Sequence, residues 1–222
     1  MNLEKMFEMQ AELDRRIIRE KGLEGQDLLP NTYVALITEL GEFANEGRWF
    51  KHWSDNQKPC TERLIDCSPC NGTGDVNYER VAEDAEGYGG HEFIKCEDCD
   101  GEGTEGFKNP LLEEYADCIH FFLSIAIKKG WQEKLHVSEE SLFSFTEENF
   151  DGGLSGLYLE MQWSLLNSRM FKGEEKKKEH FHVAWGLFLV IGVVGFGFTL
   201  DQIEKAYMDK NAVNHKRQQE GY

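Results

Sequence analysis

The sequence predicts an all-α fold, a helical bundle interrupted by a small irregular zinc-binding insert. Three observations carry this. Apolar residues recur at helical spacing in several separate stretches, the composition changes abruptly near residue 54 and reverts near 107, and two Cys-x-x-Cys pairs lie inside the changed segment. The helical domain is expected over 1–53 and 107–222, and the inserted zinc module over 54–106.

Leu3, Met6, Met9, Leu13 and Ile17 place one apolar stripe on a helix over 3–21, which Gly22 and Gly25 end. Pro30 suits the first turn of a second helix, expected to run to about Trp53. The next segment holds five of the six cysteines, is rich in glycine and keeps no amphipathic period, so it is expected to be non-helical. After Asn109-Pro110 helical spacing returns and continues to Gly130. Further helices are expected near 139–150 and 154–171. Val183–Phe198 is a 16-residue apolar run broken by glycines. A membrane span needs about 20 such residues, so the run reads as a buried core or interface helix, with no membrane expected. Thr199-Leu200-Asp201 opens a last helix to about Lys216.

The chain carries 41 acidic against 24 basic residues, a net charge of −17. Nucleic-acid polymers are poor partners for such a chain, because duplex binding relies on Lys and Arg at phosphates. A small phosphate ligand remains compatible, since acidic sites bind phosphate through divalent cations. The N-terminus, MNLEKMFEMQ, is amphipathic and acidic rather than a secretory signal. The cysteines pair as metal knuckles, not as a disulfide framework. Both features lead to the expectation of a cytoplasmic protein.

Glu39 and Glu42 on the second helix, and Glu114 and Asp117 on the third, are each spaced i, i+3, so each pair projects from one helix face. Either pair alone is ordinary for a solvated helix. Two such helices packed together would gather four carboxylates around a pocket, an oxygen-only ligand set suited to Mg²⁺ or Mn²⁺. In the last helix Lys210, Asn214 and Arg217 recur at i, i+4, i+7 beside Asn211 and Gln218, a basic and amide-rich stripe in an acidic chain. Gln10 and Asp14 sit at i, i+4 on the first helix. Cys67-Ser-Pro-Cys70-Asn-Gly72-Thr-Gly74 is echoed by Cys96-Glu-Asp-Cys99-Asp-Gly101-Glu-Gly103. Cys67, Cys70, Cys96 and Cys99 supply four thiolates for one tetrahedral Zn²⁺, with no position left open for catalysis. This repeat resembles the cysteine-rich zinc modules of DnaJ-type co-chaperones, and a protein partner for the insert is compatible with it.

Several strings together resemble the dimeric dUTPases, which belong to the all-α nucleoside triphosphate pyrophosphatases that include MazG-type enzymes. They are Glu39-Leu-Gly-Glu42, Phe50-Lys51-His52-Trp53, Glu114-Tyr-Ala-Asp117-Cys-Ile-His120-Phe121, the opening Met9-Gln10-Ala-Glu-Leu13-Asp14, and the closing run from Tyr207 through Lys210, Asn211, Asn214, Arg217 and Gln218 to Tyr222. The resemblance covers the helical body and not the insert. One departure is Asp14, where many relatives carry Asn.

The resemblance implies hydrolysis of dUTP, and also of dUDP, to dUMP. It implies two or more Mg²⁺ ions per site on Glu39, Glu42, Glu114 and Asp117, with Glu39 or Glu42 orienting the attacking water. It places Gln10, Asp14, Lys51, Trp53, His120, Phe121, Tyr207, Lys210, Asn211, Asn214, Arg217 and Gln218 around the nucleotide, Phe121 stacking on uracil. It also implies a homodimer, and the apolar run Val183–Phe198 with Leu154, Leu157, Met161, Leu165 and Leu166 reads as surface in excess of one protomer's interior. Two competing readings are a related pyrophosphatase acting on another deoxynucleotide, and a binding protein whose helical body is a scaffold for the zinc module.

Overall fold

A computed structural model describes residues 1–79, 91–145 and 151–221. The chain divides into two compact units, Met1–Pro59 with Leu111–Tyr222, and Cys60–Pro110. The first unit is helical. Its elements are α1 (Leu3–Glu20), α2 (Leu29–Gly47), α3 (Pro110–Lys129), the short α4 (Glu139–Phe143), α5 (Gly153–Met170), α6 (Glu174–Val190) and α7 (Leu200–Gln219). The second unit holds a two-stranded antiparallel ribbon of β1 (Arg63–Asp66) and β2 (Thr104–Lys108). Arg63 pairs with Lys108 and Leu64 with Phe107, with a bulge between Ile65 and Asp66.

Helix starts follow local chemistry. Asn2 caps α1 by accepting the Lys5 amide, and Pro30 lies in the first turn of α2. Thr199 and Gln202 form a reciprocal capping box on α7, at 3.1 and 2.9 Å. That cap fixes where the Lys210–Gln218 stripe emerges.

Two boundaries differ from the sequence expectation. α2 ends at Gly47 rather than at Trp53, with Arg48 in the left-handed region at φ 61°. Trp49 folds back over Gly47, where a Cβ would lie 2.4 Å from the indole ring. Its ring meets Phe43, Phe196 and Tyr158, so the helix stops because its next aromatic residue docks into the core. The apolar helix starts at Glu174, nine residues ahead of Val183, and includes the charged run Glu174–His180. Glu174 and Glu175 suit a helix N-terminus, and the apolar second half anchors the whole helix. α6 then loosens into a π-helical turn, Ile191–Gly195. The helix expected over 139–150 is seen at Glu139–Phe143, and 146–150 lie outside the described residues.

The core is aromatic. Tyr115 stacks on Phe188 with centroids 4.1 Å apart and planes 9° apart, a contact that contributes about 1 kcal/mol beyond burial. The Tyr115 hydroxyl donates to the Phe188 carbonyl at 3.1 Å. Gly192 in the π turn makes room for that ring, since a Cβ there would fall 2.5 Å from Tyr115. Tyr115 thus pins the stretch of α3 that carries Glu114 and Asp117. Ala184, Trp185, Phe188, Leu189, Val190, Ile191 and Val193 are buried within the protomer, as are Leu157, Met161 and Leu165. These residues are therefore not the surplus surface that the sequence suggested. They are used inside, α6 against α5. Of the expected set, Val183 and Leu166 do stay exposed, and Leu166 forms an apolar stripe with Leu159, Trp163 and Met170 on the other face of α5. Among the described residues no single helix is long and apolar enough to cross a membrane. Glu174–Gly195 and Leu200–Gln219 pass that test only together, as a pair bent by 112°.

Candidate active site and thiolate cluster

α2 and α3 bring their acidic faces together. Carboxylate oxygens of Glu39, Glu42 and Glu114 all lie within 4.8 Å of one another. Burial, then the Asp117, Glu42 and Glu114 charges, push the Glu39 carboxyl up to about 7. Burial, then Asp117, does the same to Glu114, again to about 7. The cluster therefore holds more negative charge than its surroundings neutralise. A hard divalent cation with oxygen ligands fits that deficit.

Asp117 stands one turn beyond Glu114 and is held differently. Lys210 Nζ of α7 lies 2.6 Å from Asp117 Oδ2 and 3.4 Å from Glu113 Oε1. Burial by itself would lower the Lys210 pKa, but the Asp117 bond and the Glu113 charge outweigh it and hold it above its ordinary value. Burial still raises Asp117, against the pull of Lys210. The expected set of four equivalent carboxylates is thus three that converge and a fourth paired with an ammonium.

Beside this cluster opens a cleft of about 300 Å³. α1 lines it with Gln10, Leu13, Asp14 and Ile17, α2 with Glu39, α3 with Asp117, His120 and Phe121, and α7 with Asn214, Arg217 and Gln218. Four helices distant in sequence thus place nine of the residues singled out above around one cavity. Gln218 Oε1 is buried with no hydrogen-bond partner among the described residues. Asn211 and Tyr207 do not line the cleft; they are 2% and 0% exposed, and the Tyr207 ring stacks on His120 with centroids 4.3 Å apart. The Tyr207 hydroxyl donates to the Met6 carbonyl at 3.0 Å and lies 3.2 Å from Gln10 Oε1, tying α7 to α1.

Lys51 and Trp53 do not line this cleft. They follow the end of α2, where Lys51 Nζ donates to the Asn45 carbonyl at 3.0 Å. Trp53 is 67% exposed and makes edge contacts with Phe50 and His52. The early end of α2 at Gly47 puts both residues in a turn. Sequence reasoning missed Ser124 and Lys128, which bond Asp14 Oδ2 at 2.5 and 2.9 Å. The signal was present: residues 117, 121, 124 and 128 fall on one α3 face.

In the second unit the sequence repeat becomes a structural repeat. Gly74 N–H points at Cys70 Sγ and Gly103 N–H at Cys99 Sγ, both at 3.2 Å. Cys67 N–H donates to the Gly103 carbonyl and Cys96 N–H to the Gly74 carbonyl, both at 2.9 Å. Gly74 and Gly103 have φ of 76° and 77°, and a Cβ on either would strike the opposite knuckle's carbonyl at 2.2 and 2.4 Å. The thiols of Cys67, Cys70, Cys96 and Cys99 are buried and mutually within 4.8 Å. Cys67–Cys96 and Cys70–Cys99 sulfurs are 3.8 and 3.7 Å apart. A tetrahedral zinc with Zn–S of about 2.3 Å requires S···S of about 3.8 Å. Burial raises the Cys99 thiol, but the Gly103 N–H and the other three sulfurs overcome it and bring it down to about 7. The arrangement could hold zinc.

A sequence model of a family described as dUTPase matches residues 2–67 and 102–222, skipping most of the cysteine unit. No curated protein matches the chain.

Proposed function

The chain belongs to the all-α dUTPase family and is an enzyme that hydrolyses dUTP; we propose that the reaction runs in the α1–α2–α3–α7 cleft, with Glu39, Glu42, Glu114 and Asp117 holding two or more Mg²⁺ ions. The convergence of Glu39, Glu42 and Glu114 within 4.8 Å at a cleft lined by polar and aromatic side chains carries this reading. When bound, the cations supply positive charge against the triphosphate and acidify water.

The protein's own groups supply the rest. Arg217 offers a planar fork of donors for phosphate oxygens. Phe121 stacks on the uracil, and Gln10, Asp14, His120, Asn214 and Gln218 surround the nucleoside. Lys210 keeps Asp117 in place and, by moving between Asp117 and a phosphate oxygen, follows the charge that substrate brings. Tyr207 supports the cleft from behind, through its contacts with His120 and Gln10. Glu39 or Glu42 orients the attacking water and takes up its proton. Catalysis of this kind rests on positioning and charge neutralisation rather than covalent chemistry. dUDP shares the base, sugar and first phosphates and is a second substrate, with dUMP the product of both. Lys51 and Trp53 take a part in binding only where they reach a cleft from outside its own walls, as across a homodimer interface.

The dimer forms over the α5 stripe of Leu159, Trp163, Leu166 and Met170, whose exposed side chains follow helical spacing. The four thiols bind one structural Zn²⁺, and the reduced state they need fits a cytoplasmic protein. Exposed Leu64 and Phe107 on the ribbon give the zinc module an apolar surface for a protein partner. The direct test is initial rates in chelator followed by addition of Mg²⁺ or Mn²⁺. Turnover is expected only after the cation is added, and undiminished turnover in chelator would overturn the metal assignment.

A further inference from the structure

Two residues lining the cleft, His120 and Gln218, each keep a buried polar atom without a hydrogen-bond partner among the described residues, and the one on His120 rests on a defined chain of contacts. His120 is 4% exposed, and its Nε2 has no hydrogen-bond partner among the described residues. An unmet buried acceptor is costly, and such groups commonly mark a place that a ligand fills. Whether Nε2 is an acceptor depends on which ring nitrogen carries the proton, and a chain of contacts decides that.

The chain starts at Lys128. Its ammonium and the Ser124 hydroxyl both donate to Asp14 Oδ2, at 2.9 and 2.5 Å. Asp14 Oδ1 accepts from Gln10 Nε2 at 2.8 Å. A carboxylate only accepts, so it selects the NH₂ end of the Gln10 amide and turns the carbonyl end away. That carbonyl, Gln10 Oε1, lies 2.7 Å from His120 Nδ1. Nδ1 must then carry the proton. A neutral imidazole has one N–H, so Nε2 keeps a bare lone pair. Burial and the nearby Lys210 charge press the ring's pKa down to about 3 and outweigh the Tyr207 backbone, which favours the charged form, so the ring is neutral.

Building on the cleft assignment above, we propose that Asp14 is a positioning residue which, through the Gln10 amide, fixes the His120 tautomer so that Nε2 accepts a hydrogen bond from a donor on the deoxynucleoside. Two donors on dUTP have this chemistry, the 3′-hydroxyl of the sugar and the imino N–H of the base. With Asn at position 14 the relay inverts. Lys128 and Ser124 claim its carbonyl, its NH₂ faces Gln10, and the Gln10 amide turns over. His120 Nδ1 then becomes the acceptor and Nε2 the donor.

The first measurement needs no variant at position 14. Proton–nitrogen NMR of histidine-labelled wild type, with His120→Gln for assignment, is expected to show His120 protonated at Nδ1. Protonation at Nε2 would overturn the proposal even if Asp14→Asn did not fold. In Asp14→Asn the tautomer is expected to invert, and KM for dUTP to rise about tenfold with kcat within about twofold, the pattern of a lost uniform binding contact. Ser124→Ala keeps the carboxylate and is expected to keep the wild-type tautomer. With N3-methylated dUTP or 2′,3′-dideoxyuridine triphosphate, the Asp14→Asn penalty is expected to vanish for the analogue that lacks the contacted donor. An equal penalty with both analogues, or a fall in kcat at constant KM, would contradict the assignment. The tautomer is read without substrate, so failure of the enzymatic reading leaves this readout standing, and the reverse holds too.

Discussion

Replacing Glu39 with Gln removes one of three carboxylates whose oxygens lie within 4.8 Å. At that separation and an effective dielectric of about 20, each like-charged pair repels by about 3.5 kcal/mol. The groups are only half-buried, and solvent screening brings the net term to about 1 kcal/mol. For a domain of this size that corresponds to about 2–4 °C in melting temperature. The metal-free variant is therefore expected to melt higher than wild type, against the usual direction for a substitution near a site. The folded-state pKa of Glu39, about 7, lies above its ordinary value of 4.5. Its favourable contribution is complete below the unfolded value and lost as pH rises through about 7. The wild type in chelator should then lose melting temperature between about pH 5 and pH 8, and Glu39→Gln should lose less. Adding Mg²⁺ should raise the wild type more than the variant, and turnover should fall by orders of magnitude in the variant. Differential scanning fluorimetry at two pH values, with chelator or Mg²⁺, reads all of this. A variant that melts below wild type in chelator at about pH 8, and gains as much from Mg²⁺, would refute the reasoning.

Three further outcomes are expected. About one Zn²⁺ per chain should copurify, and Cys96→Ser should lose it while the helical circular dichroism persists; elemental analysis without zinc in fresh reduced protein would count against the site. Light scattering should give about twice the monomer mass, and Trp163→Glu should shift it toward monomer; an active wild-type monomer at low micromolar concentration would remove the dimer. Arg217→Met should raise KM for dUTP by about tenfold or more, as expected for a lost charge-assisted phosphate contact; unchanged KM and kcat would place Arg217 outside the substrate contacts.

Much of the site was legible because it is written in helical periodicity. The i, i+3 acids on α2 and α3 and the Lys210–Asn214–Arg217 stripe on α7 each mark one helix face, and the strings resembling the dimeric dUTPases supplied the reason to bring those faces together. The glycine pattern of the cysteine repeat likewise anticipated a backbone that brings Gly74 and Gly103 N–H groups to sulfur. Other features depend on contacts made far along the chain. The end of α2 is decided by Trp49 docking on Phe43 and Phe196, which no local pattern around Gly47 announces. The charged start of α6 is helical because its apolar second half is anchored in the core. Asp14 looked like a lone departure in sequence, and its partners appear only where α3 supplies Ser124 and Lys128.

Initial hydrolysis rates of dUTP, dTTP, dCTP and dATP at one subsaturating concentration with Mg²⁺, with products resolved by chromatography, test the central claim most directly. dUTP should be cleaved fastest and yield dUMP with pyrophosphate. Equal rates for all four, or release of orthophosphate in place of pyrophosphate, would contradict it.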